Sequence, residues 1–151
     1  MKSKSGGVAE SSFLANEVLL ARKNVDDIAS RLAADGFSPI RLDARFPQDQ
    51  CATAFAKNAV ALFASCDPID SAIYRIFKEI NNDAKINRRE ILEIVNDVNA
   101  LVCGVKFVVT RVGDVWVVSE QLHGSAESFL RSFYDGIEEC VRASNEFLAR
   151  C

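Results

Sequence analysis

Apolar positions along this 151-residue chain change their spacing several times, and each change marks an element. From Asn24 the spacing is helical. Val25, Ile28, Ala29 and Leu32 recur at three and four residues, Asn24 is a strong N-cap type, and Asp26 and Asp27 would occupy a first turn, where the macrodipole favours acids. Gly36 follows as a C′ residue should, so a first helix is predicted over 25–35. From Phe37 to Phe46 the period drops to two: Ile40, Leu42 and Ala44 alternate with Arg41, Asp43 and Arg45, with Pro39 and Pro47 at the ends, as in an edge strand. Residues 53–66 are rich in alanine and fit helix or strand. Asp67-Pro68-Ile69-Asp70 is a turn signal, and beyond it Tyr74, Ile76 and Ile80 share one face while Ile73, Arg75, Phe77 and Glu79 share the other. Residues 58–66 and 71–80 are therefore read as a hairpin. The competing reading is two helices hinged at Pro68, which circular dichroism would show as helix well above half.

Asn81-Asn82-Asp83 breaks the pattern. Asn87 then caps a second helix, with Glu90 placed to complete a capping box and Ile91, Ile94, Val95, Val98 and Leu101 as its stripe, ending at Gly104. Two valine-rich runs, Lys106–Arg111 and Val115–Ser119, flank Gly113-Asp114, which predicts a hairpin with a two-residue loop. Ser125 is a cap for a third helix over 125–149, with Phe129, Phe133, Ile137, Cys140, Val141, Phe147 and Leu148 facing inward. Residues 1–11 are Ser/Gly/Lys-rich and read as disordered, and 12–23 as helical or as an appendage to a single domain over 24–151. The order α-β-β-β-α-β-β-α, with strands joined by hairpins, implies an α+β fold: a five-stranded antiparallel sheet with flanking helices.

This order resembles the YbjN domain, a bacterial family that shares its architecture with class I type III secretion chaperones. The resemblance runs from Asn24 to about Leu148. It rests on Asn24–Phe37 as the opening helix with its Gly-aromatic exit, Ile86–Asn99 as the central helix, Gly104-Val105-Lys106-Phe107 as the strand after it, and Gly113-Asp114-Val115-Trp116 as the next hairpin. It implies no settled activity; the chaperone relatives imply a small acidic homodimer that holds an extended segment of a partner.

Composition narrows the function. Hydrophobic residues at 49% and charged residues at 26% are globular values. With 18 Lys+Arg against 21 Asp+Glu, net charge −3, there is no basic face of the kind that neutralises phosphates, so no nucleic-acid partner is expected. No run approaches the ~20 apolar residues of a membrane span, and Met1–Gly7 lacks the apolar core of a signal peptide, so a cytoplasmic protein off the membrane is expected. The five cysteines (Cys51, Cys66, Cys103, Cys140, Cys151) are widely spaced and accompany one histidine, His123, which fits neither a zinc site nor a nucleophile motif. They read as core residues, and neither cofactor nor metal is expected. Adjacent acids such as Asp26-Asp27 and Glu138-Glu139 do not converge on a helix and read as solvated.

The remaining candidate is Trp116, the lone tryptophan. If Val115 and Val117 face the core, Trp116 and Val118 face the other side of the sheet, as an exposed patch for a partner or for cover by a helix or a second subunit. Trp116, Val118, Phe107 and Val109 are thus the candidate protein-binding residues of a non-enzymatic, chaperone-like domain. The alternative is a small enzyme or ligand-binding domain with a pocket near His123.

Overall fold

The spacing of Ala21, Val25, Ile28 and Leu32 does form a helix with that stripe buried, but the helix begins far upstream of Asn24. The structure, a computed structural model, describes residues 6–40, 51–57, 60–80 and 86–151. Their elements are α1 (Gly6–Ala34), β1 (Ser38–Ile40), β2 (Ala52–Lys57), β3 (Val60–Cys66), β4 (Ile73–Ile80), α2 (Arg88–Leu101), β5 (Val105–Val109), β6 (Val115–Leu122), α3 (Ala126–Arg131) and α4 (Phe133–Ala149). The 29 residues of α1 absorb both the expected 25–35 helix and the extension before it, including residues 6–11, which were expected to be disordered. Asn24 is consequently no cap: its carboxamide donates to Cys66 Sγ at 3.7 Å. Asp26 and Asp27 lie mid-helix and compensate no dipole.

The six strands form one antiparallel sheet in the order β1-β2-β3-β4-β6-β5. The class is α+β as expected, with a sixth strand, β2, in the part of the alanine-rich run that precedes the expected strand 58–66. The hairpin reading of 58–80 holds, since β3 and β4 pair with Phe63 opposite Phe77 and Ala64 opposite Ile76. Its turn is set by Asp67, whose Oδ1 accepts from the N–H groups of Ile69 at 2.8 Å and Asp70 at 3.0 Å. The predicted strand 37–46 is represented by β1; its part from Arg41 to Phe46 and the Asn81–Asp83 break lie outside the described residues.

Two local departures alter which side chains meet. The loop between β5 and β6 is not the two-residue Gly113-Asp114 turn. Thr110 N–H donates to Asp114 O at 2.9 Å and Gly113 N–H to Thr110 O at 3.1 Å, so Arg111, Val112 and Gly113 form the loop and Gly113, at φ +94°, takes the left-handed position. The single helix expected over 125–149 is broken at Ser132 (φ −99°, ψ 3°), whose hydroxyl lies 3.1 Å from the Phe129 carbonyl and 2.6 Å from Gln121 Oε1. A serine side chain competing for local backbone and sheet partners displaces the helical ladder. The caps at Asn87 and Ser125 are as expected, and Asn87 with Glu90 forms the reciprocal capping box.

All four described helices contribute to one core cluster on one face of the sheet, around Phe55, Leu62, Tyr74, Ile76, Val115 and Val117. The opposite face has a separate small cluster of Ala54, Phe63, Trp116 and Val118 with Phe77 against it, to which no residue of the described helices belongs.

Candidate functional site

Strand alternation assigns each candidate residue to a face. On β6, Val115 and Val117 point into the helix-side core and Trp116 and Val118 to the other side, as anticipated. On β5 the partners are Val109 with Val115, Phe107 with Val117, and Val108 with Trp116. Phe107 and Val109 therefore stand on the helix side: Phe107 is buried and stacks on Phe147 at 5.7 Å, and Val109 packs against the same core. The four residues nominated from sequence do not form one surface. Those that join Trp116 and Val118 are Val108, Phe77 and Phe63, with Trp116 edge-on to Phe63 at 5.3 Å and to Phe77 at 6.5 Å. Trp116 is also not an exposed side chain, at 7% accessible, and Val118 is at 3%.

On the sheet face opposite the described helices lies a cavity of about 420 Å³, lined by Phe77, Val108, Trp116 and Val118 and bounded by Thr110, Arg111, Val112 and Asp114 of the hairpin loop. Val108 is 42% and Val112 84% exposed, so the lining is apolar where water reaches it. An apolar concavity of this size with a few polar groups at its rim has the character of a binding pocket. The loop geometry creates it, because the left-handed Gly113 closes a three-residue loop that sets Arg111 and Val112 beside the strand face.

Toward the other end of this face the charges satisfy one another. Arg75 bridges Asp67 Oδ2 at 2.8 Å and Glu120 Oε2 at 2.7 Å, and Lys106 Nζ lies 3.6 Å from the same Glu120 oxygen. The Arg75 hydrogen bond holds the Glu120 carboxyl below its usual range. Burial alone would push Asp67 up, but bonds from Arg75 and from the N–H groups of Asp70 and Ile69 outweigh it and hold it down. Arg111, exposed at the cavity rim, has no such partner among the described residues.

His123 is placed by the end of β6 and the start of α3. Its Nε2 is 2.7 Å from Gln121 Oε1 and its Nδ1 3.0 Å from Ser128 Oγ, with Ser132 Oγ 3.2 Å from Nε2. Gln121 Oε1 can only accept, so Nε2 carries the proton and Nδ1 accepts from Ser128. The ring also meets Tyr74 and Phe129 edge-on at 5.9 and 5.7 Å. Both ring nitrogens are engaged in joining sheet to helices, no cysteine is among the partners, and the cavity described above lies on the other face. Burial lowers the His123 pKa, so the folded state favours the neutral ring. Stability is therefore expected to be undiminished above the unfolded pKa of about 6.5 and to fall as pH drops through it toward the folded value. Urea midpoints at pH 5 and 7.5 should differ more for the parent chain than for His123→Gln.

Other surfaces offer less. A cavity of about 600 Å³ between α2, β5 and α4 is lined by Glu139, Arg142, Glu146 and Arg150, charges of both signs in a solvated cleft. The β5 edge is obstructed as a template for strand addition: the outward N–H of Phe107 donates to Asn99 Oδ1 at 2.9 Å, and Arg88 bonds Thr110 O at 3.0 Å. Among the described residues no group of three or more His, Cys, Asp or Glu gathers to hold a metal, and no helix is long and apolar enough to cross a membrane. No protein-family model matches the chain, and neither a curated protein nor a solved structure matches it.

Proposed function

We propose that this is a non-enzymatic, chaperone-like protein-binding domain in which the sheet face opposite the described helices receives an extended segment of a partner protein. The observation that carries the reading is the 420 Å³ apolar cavity formed by Phe77, Val108, Trp116 and Val118. Two further features define the occupant. With Phe107 N–H taken by Asn99, the partner does not extend the sheet at β5 but lies across its face, where side chains give specificity. Arg111 at the rim favours a carboxylate beside the apolar anchor, through a charge-assisted contact. The preferred ligand is thus a bulky apolar residue next to an acidic one. The resemblance of Asn24–Phe37, Ile86–Asn99 and Gly104–Phe107 to the YbjN family, whose chaperone relatives hold an extended segment, supports this reading. The enzymatic alternative near His123 has no such support, since its imidazole is spent on Gln121 and Ser128.

A random peptide library displayed on phage tests this. Enriched peptides should share an apolar-acidic pair, shift the emission of Trp116, the lone tryptophan, and bind Val108→Asp at least about tenfold more weakly, the effect of burying an unpaired carboxylate. Failure to enrich any peptide, or equal binding to Val108→Asp, defeats the proposal. So does a dimer in light scattering that Val108→Asp converts to monomer, which would assign the face to a second copy of this chain.

A further inference from the structure

We propose that Cys51 and Cys66 are a thiol–disulfide modification site: a pair that closes to an internal disulfide in the folded chain and reopens under reduction. The inference is independent of the binding face.

The β2–β3 register pairs Ala52 with Ser65, and one residue further it sets Cys51 opposite Cys66. The backbone agrees, because Cys66 N–H donates to Cys51 O at 3.0 Å. Directly opposed, hydrogen-bonded residues of an antiparallel pair have Cα atoms about 5.5 Å apart, inside the ~4.4–6.8 Å span of disulfides. Their Cβ atoms, toward the far end of the about 4.5–5.5 Å range because the pair is hydrogen-bonded, need to approach by roughly 1–1.5 Å to reach the ~3.5–4.5 Å of a bridge. Both side chains belong to the same apolar cluster on the helix side, and both are free thiols. The required approach leaves the bridge strained, which makes it readily reducible.

A peroxide is the class of oxidant that balances the reaction. One sulfur attacks the peroxide, the O–O bond breaks, and a sulfenic acid forms with release of water or an alcohol. The second sulfur attacks the sulfenic sulfur, the S–S bond forms, and the S–O bond breaks. The departing oxygen leaves as water with the second thiol's proton, so two electrons pass from the thiols to the peroxide. Burial pushes both thiols up and slows the first step relative to an exposed thiol such as Cys103. The bridge would have a local consequence. At present Cys51 Sγ donates to Val18 O of α1 at 3.8 Å and Cys66 Sγ to Ser71 O at 3.3 Å, beside the bond from Ser71 N–H to Glu17. Oxidation removes both S–H donors at the seam where α1 meets the β3–β4 turn.

The test uses the full chain carrying Cys103→Ser and Cys151→Ser, both exposed positions, so that three thiols remain. The folded protein is treated with hydrogen peroxide, then denatured and alkylated with N-ethylmaleimide. The expected product is a monomer lighter by two hydrogen atoms before alkylation. It takes up reagent only at Cys140, yields a linked peptide pair containing Cys51 and Cys66, and regains both alkylations after dithiothreitol. Adding Cys51→Ala should abolish the bridge and leave Cys66 alkylated; should that variant not fold, the peptide map of the parent decides. Persistent alkylation of Cys51 and Cys66, oxygen adducts on either sulfur without a bridge, or a link from Cys66 to Cys140 overturns the proposal.

Discussion

Phe133→Ala is expected to lower the unfolding free energy by about 3–5 kcal/mol, the cost of deleting a fully enclosed aromatic ring and leaving most of its volume empty. Phe133 is 0% exposed and is the first residue of α4, directly after the break at Ser132. Its ring lies 5.5 Å from Phe55 on β2, 5.7 Å from Phe129 on α3 and 6.2 Å from Phe37, which precedes β1. One side chain thus joins the two C-terminal helices to the first two strands. Tyr134, the next residue, is 48% exposed, and Tyr134→Ala should cost less than about 1 kcal/mol. Urea melts of the two variants, with unchanged slopes, measure the difference. A drop under about 1 kcal/mol for Phe133→Ala would mean that the aromatic cluster is not what holds the helix break against the sheet.

The legible parts of this fold were those with a local cause. The capping box at Asn87-Glu90 and the Asp67-Pro68 turn each follow from side chains that satisfy their own backbone, and both are present; the valine-rich hairpin is present with a longer loop than expected. Residues that act through distant partners were not legible. Asn24 has the chemistry of a cap, yet its partner is Cys66, far along the chain, while the residues before it simply continue the helix. The candidate site was half legible for a reason that can be traced to one loop residue. A two-residue loop at Gly113-Asp114 would pair Val118 with Val109, and so place Phe107 and Val109 on the Trp116 side. The observed loop moves the pairing so that Val118 opposes Lys106, an odd shift, and an odd shift turns every side chain of β5 to the other face. Val108 was therefore overlooked as a contact residue, although the Thr110-x-x-Gly113 spacing, which suits a three-residue loop with glycine in the left-handed position, was the signal that would have found it.

Alkaline pH should destabilise the fold strongly, and Cys140 should be the main reason. Its thiol is completely enclosed on α4, and burial pushes its pKa from 9.0 to about 12. Burial does the same to Tyr74, from 10.0 to about 12; its hydroxyl lies by Cys66 yet has no hydrogen-bond partner among the described residues. An unfolded chain releases these protons at the ordinary values while the native state keeps them, so between them the native state binds more protons. Stability is then full below about pH 9 and is lost as pH rises toward 12. At ~1.4 kcal/mol per unit, Cys140 alone accounts for a loss on the order of 4 kcal/mol by the top of that window, a large part of a typical domain's 5–15 kcal/mol. Lys78 acts in the opposite sense: burial lowers its pKa, so the folded state prefers it neutral, and its contribution to stability becomes more favourable as pH rises through its titration. Denaturant midpoints measured from pH 8 to 11 should fall steeply in the parent chain and less steeply in Cys140→Ala. Tyr74→Phe should also flatten the upper end of the curve and leave stability at pH 7 equal or higher, since it removes an enclosed hydroxyl without a partner. A slope unchanged by Cys140→Ala would show that the thiol ionises without cost in the folded state, and hence that the space between α4 and the sheet admits water.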